Sequence, residues 1–142
     1  MKYQYYSLSS EERSSHESAA KAFLAAKDGI LFAYIHGSFV TGERFRDVDV
    51  AVYFANHPVH RIEEELSLES ELSRVMKHLP VDLRILNDAP LSFRYNVIRY
   101  GRPVFVRDSN ARFEFVEATL RDYFDFAPYR KMYLRETLGL GL

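Results

Sequence analysis

The chain has 142 residues, 47% of them hydrophobic and 27% charged, with a formal net charge of −1. That length suits a single domain spanning 1–142 with its own core, and the balance excludes a disordered or fibrous chain. The absence of cysteine excludes disulfides, thiolate metal sites and thiol nucleophiles. No basic run marks a long nucleic-acid partner, and no stretch has the character of a membrane span or signal peptide. The expectation is a soluble cytoplasmic protein.

The first helix is predicted to start near Ser9 or Ser10, where Ser9 and Glu12 have capping-box spacing, and to stop at Gly29. Ile30–His36 is apolar and rich in branched and aromatic residues, the pattern of a buried strand. His36, at its end, is read as a histidine with its hydrogen bonds met locally. A polar connection over 37–46 leads to a second strand, Val48–Phe54. Apolar residues at Ile62, Leu66, Leu72, Val75, Met76 and Leu79 predict a helix from Arg61 that Pro80 ends, its acidic face turned to solvent. Val81–Leu86 reads as a third strand. Asp88 and Pro90 open a further helix that Gly101 closes, and Pro103–Val106 reads as a short edge strand. The segment of about 109–138 has Phe113, Val116, Leu120, Tyr123 and Phe124 at helical spacing, interrupted at Pro128. Its aromatic stripe, continuing through Phe126, Tyr129 and Tyr133, is read as core or as a docking surface. The order α-β-β-α-β-α-β-α predicts an α/β (α+β) fold, a small mixed β-sheet with helices packed on it.

The chemistry concentrates in one constellation: Gly37-Ser38, eight residues, then Asp47-Val48-Asp49, with Asp82 in the next strand. Side chains alternate along a strand, so Asp47 and Asp49 share a face. If the strands are neighbours, Asp82 joins them, and three anions held together call for hard divalent cations such as Mg²⁺. Gly37 permits close backbone approach to a phosphate and Ser38 adds a donor. A phosphate cradle facing carboxylate-bound cations is equipment for phosphoryl or nucleotidyl transfer. Arg44 and Arg46, between cradle and carboxylates, are candidates for neutralising a β- or γ-phosphate. His57, His60 and His78 lack ligand-like spacing, which disfavours zinc.

The stretch LFAYIHGSFVTGERFRDVDVAVYF, followed by VDLRIL and VIRYGRPVFVRD, is similar to the minimal nucleotidyltransferase (MNT) family of the DNA polymerase β superfamily. The resemblance covers residues of about 19–133 and implies the nucleotidyltransferase fold. Members with the Tyr-Gly-Arg-Pro-Val-Phe stretch resemble antitoxins encoded beside HEPN-domain ribonuclease toxins. By that resemblance, Asp47 and Asp49 would bind two Mg²⁺ ions, and Asp82 would complete one metal site and help deprotonate the acceptor. Ser38, with Gly37, would hold the triphosphate of ATP. The implied reaction transfers AMP to a hydroxyl, a tyrosine of a cognate HEPN toxin, with release of pyrophosphate. Two other readings stand beside it: an antitoxin that neutralises its partner by contact alone, and a small-molecule nucleotidyltransferase. The chain departs from the family pattern in having eight rather than ten residues between Ser38 and Asp47, Arg46 before Asp47, and His36 before the glycine.

Overall fold

A computed structural model describes residues 4–42 and 44–138, with side chains through 125. Eleven elements occur among the described residues: β1 (Tyr6–Ser7), α1 (Ser10–Ala25), β2 (Ile30–His36), α2 (Ser38–Thr41), β3 (Arg44–Phe45), β4 (Val48–Phe54), α3 (Arg61–Val75), β5 (Val81–Ile85), α4 (Leu91–Tyr100), β6 (Arg102–Val106) and α5 (Ser109–Leu138). The main sheet has the order β5-β4-β2-β6. Strand β2 is antiparallel to β4 and β6, whereas β4 and β5 are parallel and joined through α3. The mixed α/β fold read from the sequence is the one observed, with β6 at the edge where Pro103 placed it.

Alternation along the strands divides the core into two layers. Val48, Val50 and Val52 face α1 and α3, meeting Ala20, Leu24, Leu68 and Leu72. Phe32, Tyr34 and Ala51 face the opposite way, toward Val97 of α4 and Phe115 of α5. Offset ring contacts bind this second layer, with Phe32 stacked on Tyr53 at 4.9 Å between centroids and Phe115 tilted against both.

Local chemistry explains where the elements end. Ser9 and Glu12 form the full capping box that starts α1. That helix stops at Ala25 rather than at Gly29, because a turn closed by Ile30 N–H donating to the Lys27 carbonyl must reverse the chain into β2. Likewise α3 ends at Val75, before Pro80: Lys77 and His78 adopt left-handed backbone conformations, and the Ser73 hydroxyl bonds the Leu79 carbonyl at 2.6 Å. Asp88 also has positive φ and caps nothing; Pro90 is the N-cap of α4. Pro128 does not interrupt α5, since removing one donor from a helix of 30 residues leaves the rest of the ladder intact. Phe126, Tyr129 and Tyr133 lie outside the residues whose side chains are described.

The predicted solvent-facing acidic stripe of α3 is corrected in two places. Glu69 accepts the Leu83 N–H at 2.8 Å and Glu65 accepts the Ile85 N–H at 2.9 Å. These carboxylates satisfy the free edge of β5, which would otherwise present unpaired donors. The inward residues of α3 are Leu68 and Leu72, with Met76 buried at its C-cap, while Ile62, Leu66 and Val75 are exposed.

At the far end of β4, the buried Asn87 amide acts as a substitute strand. Its Oδ1 accepts the Phe54 N–H at 2.8 Å and its Nδ2 donates to the Phe54 carbonyl at 2.9 Å. Asn87→Ala strips both partners, so stability in urea denaturation is expected to fall by about 2 kcal/mol. An unchanged denaturation midpoint would contradict this reading of the β4 end.

Candidate active site

The carboxylates come together through strand register. Asp49 on β4 is paired with Asp82 on the parallel strand β5, and on its other side with His36 of β2. Asp47 lies in the bend entering β4, two residues before Asp49 and on the same face. One oxygen from each of Asp47, Asp49 and Asp82 lies within 4.8 Å of the others.

Such proximity is costly without a counter-charge. Partial burial, followed by the charges of Asp47 and Asp82, pushes the Asp49 carboxyl up to about 7, opposed by Arg46 and Arg84. A divalent cation bound among the three carboxylates would offset the same repulsion, with loss of that proton. All three donors are oxygens, the set that suits Mg²⁺ or a similar divalent ion. The three residues therefore fit the cations that the sequence pattern implied.

Gly37 is what brings the phosphate-binding turn against this cluster. Its backbone has φ 76° and ψ −160°, a region open essentially to glycine alone. A Cβ there would sit 2.0 Å from Asp49 Oδ2. The backbone therefore passes directly over the Asp49 carboxylate, and Ser38 starts the one-turn helix α2 with its side chain exposed.

The connection from Ser38 to Asp47 is anchored rather than loose. Phe39 and Phe45 are buried and pack edge to face at 4.9 Å. Arg13 of α1 lies over both rings and donates to the carbonyls of Phe39 and Gly42. Strand β3 pairs with β1, and Tyr6 stacks on Phe45. Neither this short sheet nor α2 was predicted.

The other candidates separate. Arg46 is exposed, near enough that its charge stabilises the ionised Asp49. Arg44 lies over the Tyr5 ring, 4.8 Å from its centroid. Nearby, Asp82 Oδ1 accepts from Arg84 Nε at 3.0 Å. A cleft of about 460 Å³ opens beside the cluster, lined by Asp49 and Asp82 together with Arg61, Arg84, Pro90 and Phe93. Arg84 could have been found from sequence, because it stands two residues after Asp82 on the same strand.

His36 also lines this cleft, and it differs from expectation. Its Nε2 is buried with no hydrogen-bond partner among the described residues. The ring stands edge-on to Phe93 at 5.7 Å, and burial holds its pKa below the usual histidine range despite the pull of Asp82. Close packing against an aromatic replaced the polar partner that a strand-end histidine was expected to find.

The raised Asp49 carboxyl has a consequence for stability. The folded chain keeps that proton to about pH 7, whereas an ordinary aspartate loses it near 3.8. Between those values the folded state binds more protons than the unfolded one, so stability falls as pH rises. In chelator, thermal unfolding is expected at a lower temperature at pH 8 than at pH 5.5. Asp49→Asn should remove much of that difference and raise the pH 8 midpoint by a few degrees, the scale of about 1 kcal/mol. Added Mg²⁺ should stabilise the wild type more at pH 8 than at pH 5.5. Equal pH slopes in wild type and variant would contradict the assignment.

Comparison with known proteins follows the same lines. The family model for polymerase beta nucleotidyltransferases matches residues 19–110. No curated protein matches the chain by sequence. Among solved structures, one chain of a tri-AMPylated Shewanella oneidensis HEPN toxin in complex with MNT antitoxin superposes with a TM-score of 0.68 at 18% identity, covering 89% of this chain and 98% of that one. A chain of the toxin–antitoxin pair MntA–HepT gives 0.65 at 18% identity, covering 87% and 97%. A chain of a toxin–antitoxin structure with AMP-PNP gives 0.65 at 20% identity, covering 84% and 98%. These likenesses establish the fold, and the family match covers both the Gly37-Ser38 turn and all three carboxylates. The chain belongs to the polymerase beta nucleotidyltransferase family.

Proposed function

We propose that this protein is an ATP- and Mg²⁺-dependent adenylyltransferase that transfers AMP to a tyrosine of a cognate HEPN-domain toxin and thereby acts as an antitoxin. The observation that carries the reading is the convergence of Asp47, Asp49 and Asp82 within 4.8 Å, directly beneath the Gly37 turn. Family membership supplies the reaction class. The partner is suggested by the structural neighbours, in which an MNT antitoxin accompanies a tri-AMPylated HEPN toxin and a toxin–antitoxin structure holds AMP-PNP.

In this reading Asp47 and Asp49 would hold two divalent cations, with Asp82 completing one of the sites. Bound there, the cations supply charge neutralisation for the triphosphate and for the developing negative charge. Gly37 lets the backbone approach the phosphates, Ser38 donates to one of them, and Arg46 adds a positive charge on the leaving-group side. Arg44, over the Tyr5 ring, is a second candidate for the same role. Asp82, which lines the cleft, helps take the proton from the entering hydroxyl. Oxygen attacks the α-phosphorus of ATP in line, and the bond to pyrophosphate breaks with its electron pair leaving on pyrophosphate. The tri-AMPylated toxin of the Shewanella neighbour suggests that addition repeats.

Incubation of the protein with labelled ATP, Mg²⁺ and its cognate HEPN protein tests this, with intact-mass analysis of the partner. The wild type is expected to add AMP-sized mass to a partner tyrosine. The Asp47→Ala/Asp49→Ala double variant should do so about a thousandfold more slowly or not at all. A stable complex with no mass gain would instead make the protein a contact antitoxin.

A further inference from the structure

A groove lined by α4, α5 and Tyr34 of β2 has the charge of an anion site and shares no lining residue with the carboxylate cleft. Its volume is about 470 Å³, and it contains two arginines, Arg99 and Arg112. No carboxylate is among its described lining residues, whereas the catalytic cleft contains Asp49 and Asp82 and the cavity beside Arg94 contains Asp88 and Glu114. Arg112 is built into place. Its Nε donates to the Tyr34 hydroxyl at 2.9 Å, and its guanidinium lies over that ring, 5.5 Å from the centroid. Tyr34 is only 2% exposed, so core packing fixes the hydroxyl that aims the arginine. The other side-chain N–H groups of Arg112 meet no carboxylate among the described residues. Arg99 brings a second charge to the groove, over the Tyr100 ring and likewise without an ion pair among the described residues.

The same groove carries aromatic rings. Tyr95 and Phe124 line it, and Tyr123 stacks on Tyr95 with 3.6 Å between centroids and 7° between planes. Tyr123 also meets Phe124 edge to face at 5.9 Å. Tyr95 is therefore held in one plane, while Phe124 keeps 55% of its surface exposed. From this arrangement we infer that the groove is a second nucleotide site, which takes one nucleobase together with its phosphate, as in a nucleoside monophosphate. The arginine pair receives the phosphate, with the oriented fork of Arg112 supplying paired donors. The rings receive the base by stacking, which every base can offer. The groove has the size of a small-ligand site.

This site goes beyond adenylyl transfer and stands apart from it. With arginines and no carboxylate, it binds the phosphate directly and needs no divalent cation. An acidic segment of a protein partner would also satisfy the arginines, but a ring fixed in plane by stacking favours a flat base over a flexible acidic side chain. Helix α4 separates the two sites in chain order only by a turn, with Phe93 lining the catalytic cleft and Tyr95 lining the groove.

Isothermal titration of the full chain in chelator tests this, with AMP, adenosine and inorganic phosphate as probes. AMP should bind about tenfold more tightly than either adenosine or phosphate, the scale of one charged hydrogen bond. Arg112→Gln and Arg99→Gln should each weaken AMP by about the same factor and leave adenosine unchanged. Arg99 is exposed on α4, so its variant keeps the test open even if Arg112→Gln fails to fold. Phe124→Ala should weaken AMP and adenosine alike. AMP binding that neither arginine substitution changes overturns the inference, and so does AMP binding no tighter than adenosine. Failure of AMP to bind overturns it too; if the arginine variants then lose the HEPN partner, the groove is a protein-docking surface. A short oligoadenylate separates the two sources of the ligand. Tighter binding than AMP, lost in Arg99→Gln, upholds the site and names RNA as the source, whereas equal or weaker binding names the free nucleotide.

Discussion

Mutual repulsion among Asp47, Asp49 and Asp82 is the constraint around which the rest of this structure is arranged. Three carboxylates with oxygens within 4.8 Å of one another are unfavourable as free anions. The fold holds them there anyway, at the expense of lifting the Asp49 carboxyl to about 7. A structural role would be met more cheaply by neutral side chains. Three carboxylate oxygens held this close form a set whose repulsion a divalent cation would offset.

Every nearby element serves to keep that cluster in place. The register of β2, β4 and β5 sets His36, Asp49 and Asp82 in one row across the sheet. Valines of β4 root the strand between α1 and α3, so the carboxylates project from a rigid support. The edge of β5 is closed by Glu65 and Glu69, which stops the strand carrying Asp82 from pairing elsewhere. Arg13 and the Phe39–Phe45 pair fix the short connection between turn and carboxylates. Gly101 performs a parallel service at the next turn, where a Cβ would lie 2.8 Å from the Ile35 carbonyl. The loop of eight residues is therefore compact because it is packed on two buried rings.

The strands and the carboxylate cluster were legible in the sequence because each depends on local pattern. Apolar runs such as Ile30–His36 and Val48–Phe54 gave their own boundaries, and the Asp-x-Asp spacing pointed to the pair although Asp47 lies in the bend before β4. What escaped notice depends on partners distant in sequence. A four-residue helix such as α2 has no period to detect, and β1 and β3 are strands only because they pair with each other. The roles of Glu65 and Glu69 needed the location of the β5 edge. The ends of α1 and α3 were set by turns that reverse the chain, which overrode the glycine and proline signals. His36 was misread because a histidine at a strand end usually finds a polar partner, and here Phe93 occupies the space.

The most direct test of the central claim is a crystal structure with Mn²⁺ and a non-hydrolysable ATP analogue, read by anomalous scattering. The account predicts manganese peaks bounded by Asp47, Asp49 and Asp82, with the analogue's phosphates beside Gly37 and Ser38 and its α-phosphate facing the cleft that holds Arg84. Nucleotide bound elsewhere, or phosphates over the Gly37 turn with no cation among the three carboxylates, would contradict it.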